Sequence, residues 1–435
     1  MPTQTLSVAE LLPAEWNLKR DILVIAGEHA ASLAVPFVQH GLKRVFLFDP
    51  THNVDNTPLI PGVTLVQNRE QLIRVVELLP GRPAQLFAGI RTPQCSLARD
   101  VTESIFHTVA TLVRRKKANQ AAQDELAPFW AKNGLRNLPA VSQLPLVSRL
   151  KDKLKGVPMV IVGAGPSLEK NVHLLAELKD KALVLGVNRS LSSLQAAGVP
   201  FDLSMALEAQ DIAYHFDDID LSNSLALILA CTVNPNLFQL AAPRRFTFAN
   251  NINAIGWMFG QVEGVDELPT AGSVSCSALS LALLWGCDPI ILVGQDLSFP
   301  DGAYYASIGC DGQTQAVWDE ASQSYTLDGF GEGLANTERV RNSGKAPRMT
   351  GTTVPGYYGG SVPTTTDFAY FRQWFENTAT DNHARSHFYN CTEGGAYIGG
   401  MEHVPLQTLV DQLPTIPNGT DALFDAACEA ARSSG

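Results

Sequence analysis

A short glycine-rich segment, GAGPS at residues 163–167, directly follows an apolar run and is the sharpest local feature of the chain. Its glycines allow a tight turn, and its proline suits the first turn of a helix, where the missing N–H would have no partner. The segment predicts a strand, a turn and a helix whose free N–H groups can bind an anion such as a phosphate. A turn without a ligand would give the same pattern, since the third glycine of the dinucleotide fingerprint is missing. The predicted binding residues are Gly163, Ala164, Gly165, Pro166 and Ser167.

Polar residues also follow other apolar runs in the middle of the chain. An amide and a guanidinium come soon after residues 182–186, and carboxylates or hydroxyls come after further runs. Because the carboxyl ends of neighbouring parallel strands face one crevice, we expect these groups to surround a single ligand. An amide can bond a phosphate or a ribose hydroxyl, and an arginine can neutralise a phosphate. The residues concerned are Asn188, Arg189, Glu208, Thr270, Gly272, Ser273, Gln295 and Asp296.

Two stretches of alternating strand and helix signals predict an α/β protein. Residues 21–50 read as strand, helix and strand, and residues 158–293 repeat this rhythm with longer apolar runs of the kind found in parallel sheets. The segment between them is charged and rich in Gln and Ala, and its interruptions at Asn133-Gly134 and near Pro139 predict two or more helices. The predicted domains are a small α/β domain at 1–100, a helical connector at 101–150, a catalytic Rossmann-like domain at 151–400 and a helical tail at 401–435.

Residues 301–365 carry weak secondary-structure signals and are rich in Gly, Asp, Tyr and Thr. Long loops of this kind are often lids or binding loops, so its tyrosines are candidate ligand contacts. The aromatic segment 366–376 predicts a helix that packs in a core. The candidate tyrosines are Tyr304, Tyr305, Tyr357 and Tyr358.

Composition and charge exclude several classes of function. The 435 residues carry a formal net charge of -11, which argues against nucleic acid as the main partner. The sequence predicts no membrane-spanning run and no secretory signal, so we expect a cytoplasmic protein. The seven cysteines show no CxxC spacing, which predicts isolated thiols and no structural metal site.

Several motifs in the same order resemble those of the motility-associated factor (Maf) family, between roughly residues 150 and 405. They are GAGPSL, GVNRS, GVPFD, TAGSVSCSALSLALLWGCDPIILVGQDLSF and NCTEGGAYIGG. This family transfers pseudaminic or legionaminic acid from CMP-linked donors to Ser or Thr of flagellin. The resemblance therefore implies a CMP-nonulosonic acid as donor, flagellin as acceptor and no required cofactor.

The motifs are also similar, more distantly, to bacterial sialyltransferases, which have a GT-A-like Rossmann fold. That resemblance places the GAGPSL turn near the donor phosphate, Asn188 on the donor, and the turn at Thr270, Gly272 and Ser273 against the cytidine. Ala164 stands where those enzymes often carry asparagine. They also use a histidine base, for which the candidates by location are His383, His387 and His403.

The mechanism implied by such a donor needs two kinds of group. Departing CMP develops negative charge, which N–H dipoles can stabilise without metal, and the acceptor hydroxyl needs a base on the opposite face of the sugar. The candidate catalytic carboxylates are Asp296, Glu208 and Glu393.

Two other functions are consistent with the same residues. A related branch resembles archaeal 6-hydroxymethylpterin diphosphokinase, which would use ATP and Mg²⁺ held by carboxylates such as Asp202, Glu208 and Asp211. An adaptor that binds flagellin or a nucleotide without turnover is the other alternative. A lipid or a polysaccharide could also replace flagellin as the acceptor, since acceptor surfaces leave no local motif.

Overall fold

Apolar runs form the strands of two parallel sheets in the computed structural model, which describes residues 12, 15–27, 30–50, 61–93, 95–250, 267–329 and 348–432. The chain divides into two units, Met1–Glu125 and Leu126–Gly435. None of the helices in these described ranges is both long and apolar enough to cross a membrane.

The first unit contains a parallel sheet of four described strands in the order β3-β2-β1-β4. Its strands bury alternate side chains in two separate cores, with Ile22 and Val24 in one and Leu23 and Ile25 in the other. Successive side chains of a strand point to opposite faces, so both faces of the sheet are covered. The predicted N-terminal α/β fold is confirmed. The elements are β1 (Ile22–Ala26), α1 (Ala30–Gln39), β2 (Val45–Phe48), β3 (Val63–Val66), α2 (Arg69–Glu77) and β4 (Phe87–Arg91).

The connector is a single helix, α3 (Arg99–Val141), so the prediction of two or more helices is wrong. Asn133 and Asn137, taken in the sequence as interruptions, are 5% and 2% exposed. Their side-chain amides donate to the carbonyls of Ala209 and Val233, each at 2.8 Å. Asparagine disfavours the interior of an isolated helix. Here the tertiary hydrogen bonds of the two asparagines stabilise the helix through these positions.

The second unit contains a parallel sheet of nine described strands in the order β10-β9-β8-β7-β6-β5-β11-β16-β17. From β5 the chain adds strands in one direction as far as β10 and then returns to place β11 on the other side of β5. This reversal makes the β5–β11 pair a topological switch point. The strands are β5 (Met159–Val162), β6 (Leu183–Val187), β7 (Leu203–Ala206), β8 (Ala226–Ala230), β9 (Arg245–Asn250), β10 (Glu267–Leu268), β11 (Ile290–Val293), β16 (Phe388–Asn390) and β17 (Glu402–His403).

Helices cover this sheet and carry the aliphatic side chains that fill its two cores. Met159 and Ile161 belong to one core and Val160 and Val162 to the other, as expected for a strand buried on both faces. The predicted tail forms two helices, as expected. The helices are α4 (Leu168–Asn171), α5 (Leu191–Ala196), α6 (Val274–Trp285), α7 (Thr366–Asn382), α8 (Leu406–Gln412) and α9 (Gly419–Arg432).

Residues 301–365 form more regular structure than their sequence predicts. Their described part contains an antiparallel sheet in the order β12-β13-β14-β15, and residues 330–347 lie outside the described ranges. Cross-strand side-chain pairs stabilise it, such as Trp318 and Tyr325, whose ring centroids are 4.9 Å apart. The prediction of a loop is therefore wrong for this part. The strands are β12 (Gln315–Asp319), β13 (Ser324–Asp328), β14 (Met349–Pro355) and β15 (Ser361–Thr365).

Candidate functional site

A cleft of about 160 Å³ lies at the carboxyl ends of the strands around the switch point. Phe368 and Phe371 of α7 add an aromatic wall that the sequence analysis had assigned to core packing. Twelve residues predicted from the sequence line this cleft. They are Gly163, Ala164, Gly165, Pro166, Asn188, Arg189, Glu208, Ser273, Gln295, Asp296, Tyr304 and Tyr305.

The two glycines of the GAGPS turn allow the ends of β5 and β11 to approach each other. A Cβ added at Gly165 would lie 2.1 Å from Asp296 Oδ2, and one added at Gly163 would lie 2.4 Å from Gln295 Nε2. The Gly165 amide donates to the Gly294 carbonyl at 2.9 Å. Close packing of the two strand ends is therefore the structural reason for glycine here.

Asp296 lies beneath this turn and is 2% exposed. Each of its carboxylate oxygens is 3.2 Å from the backbone nitrogen of Ser167, which donates to them. Burial raises the pKa of Asp296 to about 6, while the hydrogen bonds from Ser167 act in the opposite direction. The Ser167 amide, expected to face a phosphate, thus already has a partner in the protein. Phosphate binding by the rest of the turn stays a prediction.

The N-terminus of α6 faces the cleft through Ser273, Val274 and Ser275. Gln295 Nε2 donates to Ser275 Oγ at 2.9 Å, which ties the end of β11 to the start of this helix. A 12-residue helix carries partial positive charge at its N-terminus, so this side of the cleft suits an anionic group. Thr270 and Gly272 form the turn before it, with Gly272 N donating to Thr270 Oγ1 at 3.1 Å, and do not line the cleft.

Asn188 links Glu208 to a histidine that the sequence analysis missed. Asn188 Nδ2 lies 3.2 Å from Glu208 Oε1 and 2.8 Å from His215 Nδ1. Since the amide nitrogen donates, His215 Nδ1 accepts, and the proton of the neutral ring is on Nε2. Burial lowers the pKa of His215 to about 2, and the charge of Arg189 lowers it further. His215 is therefore neutral and is not a proton acceptor for the reaction at physiological pH.

Arg189 places one positive charge at the edge of the cleft. Its guanidinium forms an ion pair with Asp311 and lies 4.4 Å from the centroid of the Tyr305 ring. Tyr304 packs edge-on against Tyr305 and is stacked with Phe368 at 5.8 Å between centroids. Asp311 offsets part of this positive charge, and the remaining guanidinium N–H groups can donate to an anionic sugar or a nucleotide phosphate.

His215, Cys310 and Asp311 bring three potential metal ligands together, with their ligand atoms within 4.8 Å of one another. Two contacts oppose metal binding in this arrangement. The proton on His215 Nε2 leaves that nitrogen without a lone pair, and Asp311 is paired with Arg189. Cys310 is the exposed cysteine of the chain, whereas the other six are buried and all seven are free.

Glu393, Tyr357 and Tyr358 form a separate cluster and do not line the cleft. Glu393 Oε1 accepts from the Leu406 amide at the start of α8 and from Asn171 Nδ2, both at 3.0 Å. The Tyr358 hydroxyl donates to the Glu393 carbonyl at 3.0 Å. These contacts connect α4, α8 and the loop after β16, so they stabilise the packing of these elements.

The three histidines proposed by location also lie away from the cleft lining. His383 Nδ1 contacts the Thr380 carbonyl at 2.7 Å, and His387 Nδ1 contacts Asp288 Oδ1 at 3.0 Å. His403 Nε2 accepts from the Ile398 amide at 3.2 Å. Each of them has a local partner, and none lines the cleft.

The parallel sheet with a cleft at its switch point places the second unit in the Rossmann-like class of α/β folds. The chain is similar in structure to the Maf glycosyltransferase from Magnetospirillum magneticum AMB-1, with a TM-score of 0.59 and 13% sequence identity over 95% of this chain. It spans 61% of the length of that protein. The fold that the Maf resemblance implied is therefore confirmed.

A family model described as 6-hydroxymethylpterin diphosphokinase MptE-like matches residues 132–302. This range includes the GAGPS turn, the Asn188 strand end and most of the sheet. None of the curated proteins is significantly similar in sequence to the chain. The family model therefore covers most of the residues that line the cleft, whereas the similarity to the Maf glycosyltransferase concerns the fold.

Proposed function

We propose that the chain is a glycosyltransferase that moves a nonulosonic acid of the pseudaminic or legionaminic type from a CMP-linked donor to Ser or Thr of flagellin in the cytoplasm. The observation that carries this proposal is the cleft at the switch point, where the predicted strand-end residues meet. The fold likeness to a Maf glycosyltransferase supports it.

The anionic part of the donor fits between the N-terminus of α6 and Arg189. Departing CMP gains negative charge as its bond to the sugar breaks, and preorganised N–H dipoles with a guanidinium stabilise that charge. The aromatic side chains of Tyr305, Phe368 and Phe371 form an apolar wall on which a sugar or a base can pack. In this proposal no further cofactor takes part.

Glu208 is the proposed general base. It lines the cleft, is half-buried, and has Oε1 held by Asn188 and Oε2 by the Leu207 amide at 3.1 Å. The acceptor oxygen attacks the anomeric carbon, CMP leaves with the electron pair of the broken C–O bond, and Glu208 takes the hydroxyl proton. Asp296 instead positions the turn, because its carboxylate is buried against Ser167.

The test is thermal unfolding of the purified chain with CMP, CDP, UMP, GDP and ATP, each with and without Mg²⁺. A ligand at about 100 times its dissociation constant adds about 2.7 kcal/mol of apparent stability. Stabilisation by cytidine nucleotides without Mg²⁺ supports the proposal, and transfer from a CMP-nonulosonic acid to flagellin is then assayed directly.

Other outcomes of this test favour the alternatives. Stabilisation by ATP and Mg²⁺ alone would replace the proposal with a pyrophosphoryl-transfer enzyme. Binding of flagellin without any nucleotide effect would favour an adaptor. Transfer of the sugar to a lipid or a polysaccharide, with no transfer to flagellin, would retain the enzyme class and change the acceptor.

A further inference from the structure

Two glycine-rich segments, 355–360 and 391–401, meet at the surface of the second unit without lining the cleft. Their backbones are joined by hydrogen bonds. The Tyr397 amide donates to the Pro355 carbonyl, and the Tyr357 amide donates back to the other segment, each at 2.8 Å. The two segments are distant in the sequence and form one surface structure.

Four side chains of this structure and of β17 form a continuous row of rings, which we call the aromatic platform. It consists of Tyr358, Tyr357, His403 and Tyr397, in this spatial order, with ring centroids 4.8, 4.9 and 4.2 Å apart. Tyr358 is 76% exposed and Tyr397 is 41% exposed. Single exposed rings are normal on a protein surface, whereas a contiguous exposed patch of rings marks an interaction site.

The platform is held in place before any partner binds. Arg372 of α7 donates to the Tyr397 carbonyl at 2.8 Å. Lys170 Nζ and the Tyr358 hydroxyl both donate to the Glu393 carbonyl, at 2.8 and 3.0 Å. A partner that binds ordered rings pays little conformational entropy, and rigid tyrosines are enriched in protein interfaces for this reason. The composition and the order of the platform therefore favour a polypeptide partner.

The platform adjoins the cleft through the loop that carries Tyr397. The Ala396 amide donates at 2.7 Å to the carbonyl of Asp296, a residue of the cleft lining. A Cβ added at Gly395, where φ is +70°, would lie 2.3 Å from the same carbonyl oxygen. Glycine thus allows the loop to approach the end of β11, and the platform surface continues from the cleft.

The sheet fixes how far the platform lies from the proposed general base. Glu208 follows β7, whereas segment 391–401 follows β16, and the order β7-β6-β5-β11-β16 separates them by four strand spacings. At about 4.8 Å for each spacing, the separation is about 19 Å. An extended polypeptide advances about 3.3 Å per residue, so about six residues span this distance.

We propose that the aromatic platform binds the polypeptide acceptor at a segment about six residues from the Ser or Thr that receives the sugar. The inference rests on the proposed function for the reacting hydroxyl and its base. The platform contacts neither the donor nor the reacting atoms. It therefore sets the affinity for the acceptor and leaves the chemical step unchanged.

The first experiment measures the affinity of the chain for purified flagellin and for CMP by calorimetric titration. Tyr358→Ala and Tyr397→Ala should each weaken flagellin binding by about 10-fold, because truncation removes an exposed ring from the contact. Tyr358→Phe and Tyr397→Phe keep the rings and should retain the affinity. Unchanged CMP affinity in the alanine variants shows that the cleft is intact.

Leu135→Ala is the matched control for this titration, because Leu135 is an apolar side chain of α3 that is 66% exposed. This variant should bind flagellin as the wild type does. Unchanged flagellin affinity in both alanine variants of the platform overturns the inference.

The second experiment tests the distance between the platform and the base. Synthetic peptides centred on an accepting Ser or Thr carry about three or about ten residues on each side, so only the longer peptide reaches the platform. The wild-type kcat/KM should be at least about 10-fold higher for the longer peptide, through KM. In the double variant Tyr358→Ala, Tyr397→Ala the two peptides should react equally. A length effect that persists in the double variant contradicts the inference.

Failure of this inference and failure of the proposed function give different results. A wild-type chain that binds CMP and does not bind flagellin overturns the platform as an acceptor site and retains the donor site. Platform-dependent flagellin binding without sugar transfer supports the platform and rejects the transferase. Variants that lose affinity for a polysaccharide and keep it for flagellin would assign the platform to carbohydrate, which also overturns the inference.

Discussion

Asp296 and Glu208 differ in what surrounds their carboxylates, and this difference assigns them separate roles. Asp296 is buried against the amide of Ser167, whereas Glu208 is half-buried in the lining of the cleft. Both carboxylates accept hydrogen bonds from the protein, but a general base must also reach the proton that it removes, and Glu208 is the more exposed of the two.

Replacement of Glu208 by Gln is expected to lower kcat by about 10² to 10⁴-fold, because the glutamine amide cannot take the proton from the hydroxyl of the acceptor substrate. Affinity for CMP should change little, since the proposed anion contacts lie at α6 and Arg189. Asp211→Asn, at an exposed carboxylate three residues away, is the matched control. Steady-state kinetics of the transfer reaction measure both variants. Loss of CMP affinity with an unchanged kcat would argue against Glu208 as the base.

The raised pKa of Asp296 predicts a defined dependence of stability on pH. Between about pH 4 and pH 6 the folded chain holds this proton while the unfolded chain has released it, so the free energy of unfolding falls as pH rises. Asp296→Asn lacks this contribution. Its stability relative to the wild type should increase by roughly 3 kcal/mol across that window and stay constant above about pH 7. Urea unfolding at several pH values measures the difference, and a flat difference would contradict the prediction.

Gly165 is expected to tolerate no side chain. Gly165→Ala places a methyl group 2.1 Å from Asp296 Oδ2 and 2.7 Å from the Gly294 carbonyl, and such overpacking costs about 1–3 kcal/mol or more. Ala164→Gly, at the neighbouring position, removes a methyl group and adds no contact. Thermal unfolding compares the two variants. Equal stability of the Gly165→Ala variant and the wild type would show that the strand ends can separate without cost.

At the scale of elements, α3 persists through Asn133 and Asn137 because their amides bond to backbone carbonyls of the second unit. Asn137→Ala should destabilise the chain by about 1–3 kcal/mol, despite the better helix propensity of alanine. Arg136→Ala, at the exposed position beside it, should change stability by less than about 0.5 kcal/mol. Denaturant unfolding of both variants checks this, and equal effects would mean that the buried amide contributes nothing.

The strands β1 to β8 and β11 could be predicted because their apolar runs are short, dense and bounded by glycine or polar residues, whereas β9, β10, β16 and β17 were not predicted. Because parallel topology brings strand ends together, the sequence predicts correctly that Asn188, Ser273 and Asp296 lie around one cleft. The antiparallel sheet was missed because its strands are short, rich in Thr and Ser, and half exposed. Such strands depend on cross-strand pairs rather than on local sequence.

Contacts between distant residues account for what the sequence could not predict at the site. His215 follows no strand end directly, and its place at the site depends on a contact with a residue 27 positions earlier. Glu393 belongs to a motif that resembles the family, yet its carboxylate accepts from the start of α8. A motif predicts which residues are near a site, while hydrogen-bond partners decide which of them face the ligand.

At the scale of the whole molecule, the two units differ in how their first strand ends. In the first unit a Cβ at Gly27 would lie 2.4 Å from Thr92 Oγ1 and 2.6 Å from Cys95 Cβ, so protein atoms already fill the space beside that turn. In the second unit a Cβ at Gly163 would lie equally close to protein atoms, 2.4 Å from Gln295 Nε2, but this turn also lines the cleft. Nucleotide binding is therefore expected in the second unit.

Hydrogen–deuterium exchange with and without CMP tests this expectation. Amides near residues 163–167, 187–189 and 273–276 should exchange more slowly in the presence of CMP, because a bound ligand suppresses local opening. Amides of β1 and β4 should exchange at an unchanged rate and provide the internal control. Protection confined to the first unit would place the nucleotide there instead.

The distribution of cysteines makes the chain a single-site labelling target. Six thiols are buried and Cys310 is exposed, next to the Asp311 that pairs with Arg189. A maleimide dye should therefore attach at one position without removal of any other cysteine. A fluorophore attached there would lie beside the cleft, and its emission could report ligand binding in real time. The wild-type sequence can therefore be labelled for binding measurements without any substitution.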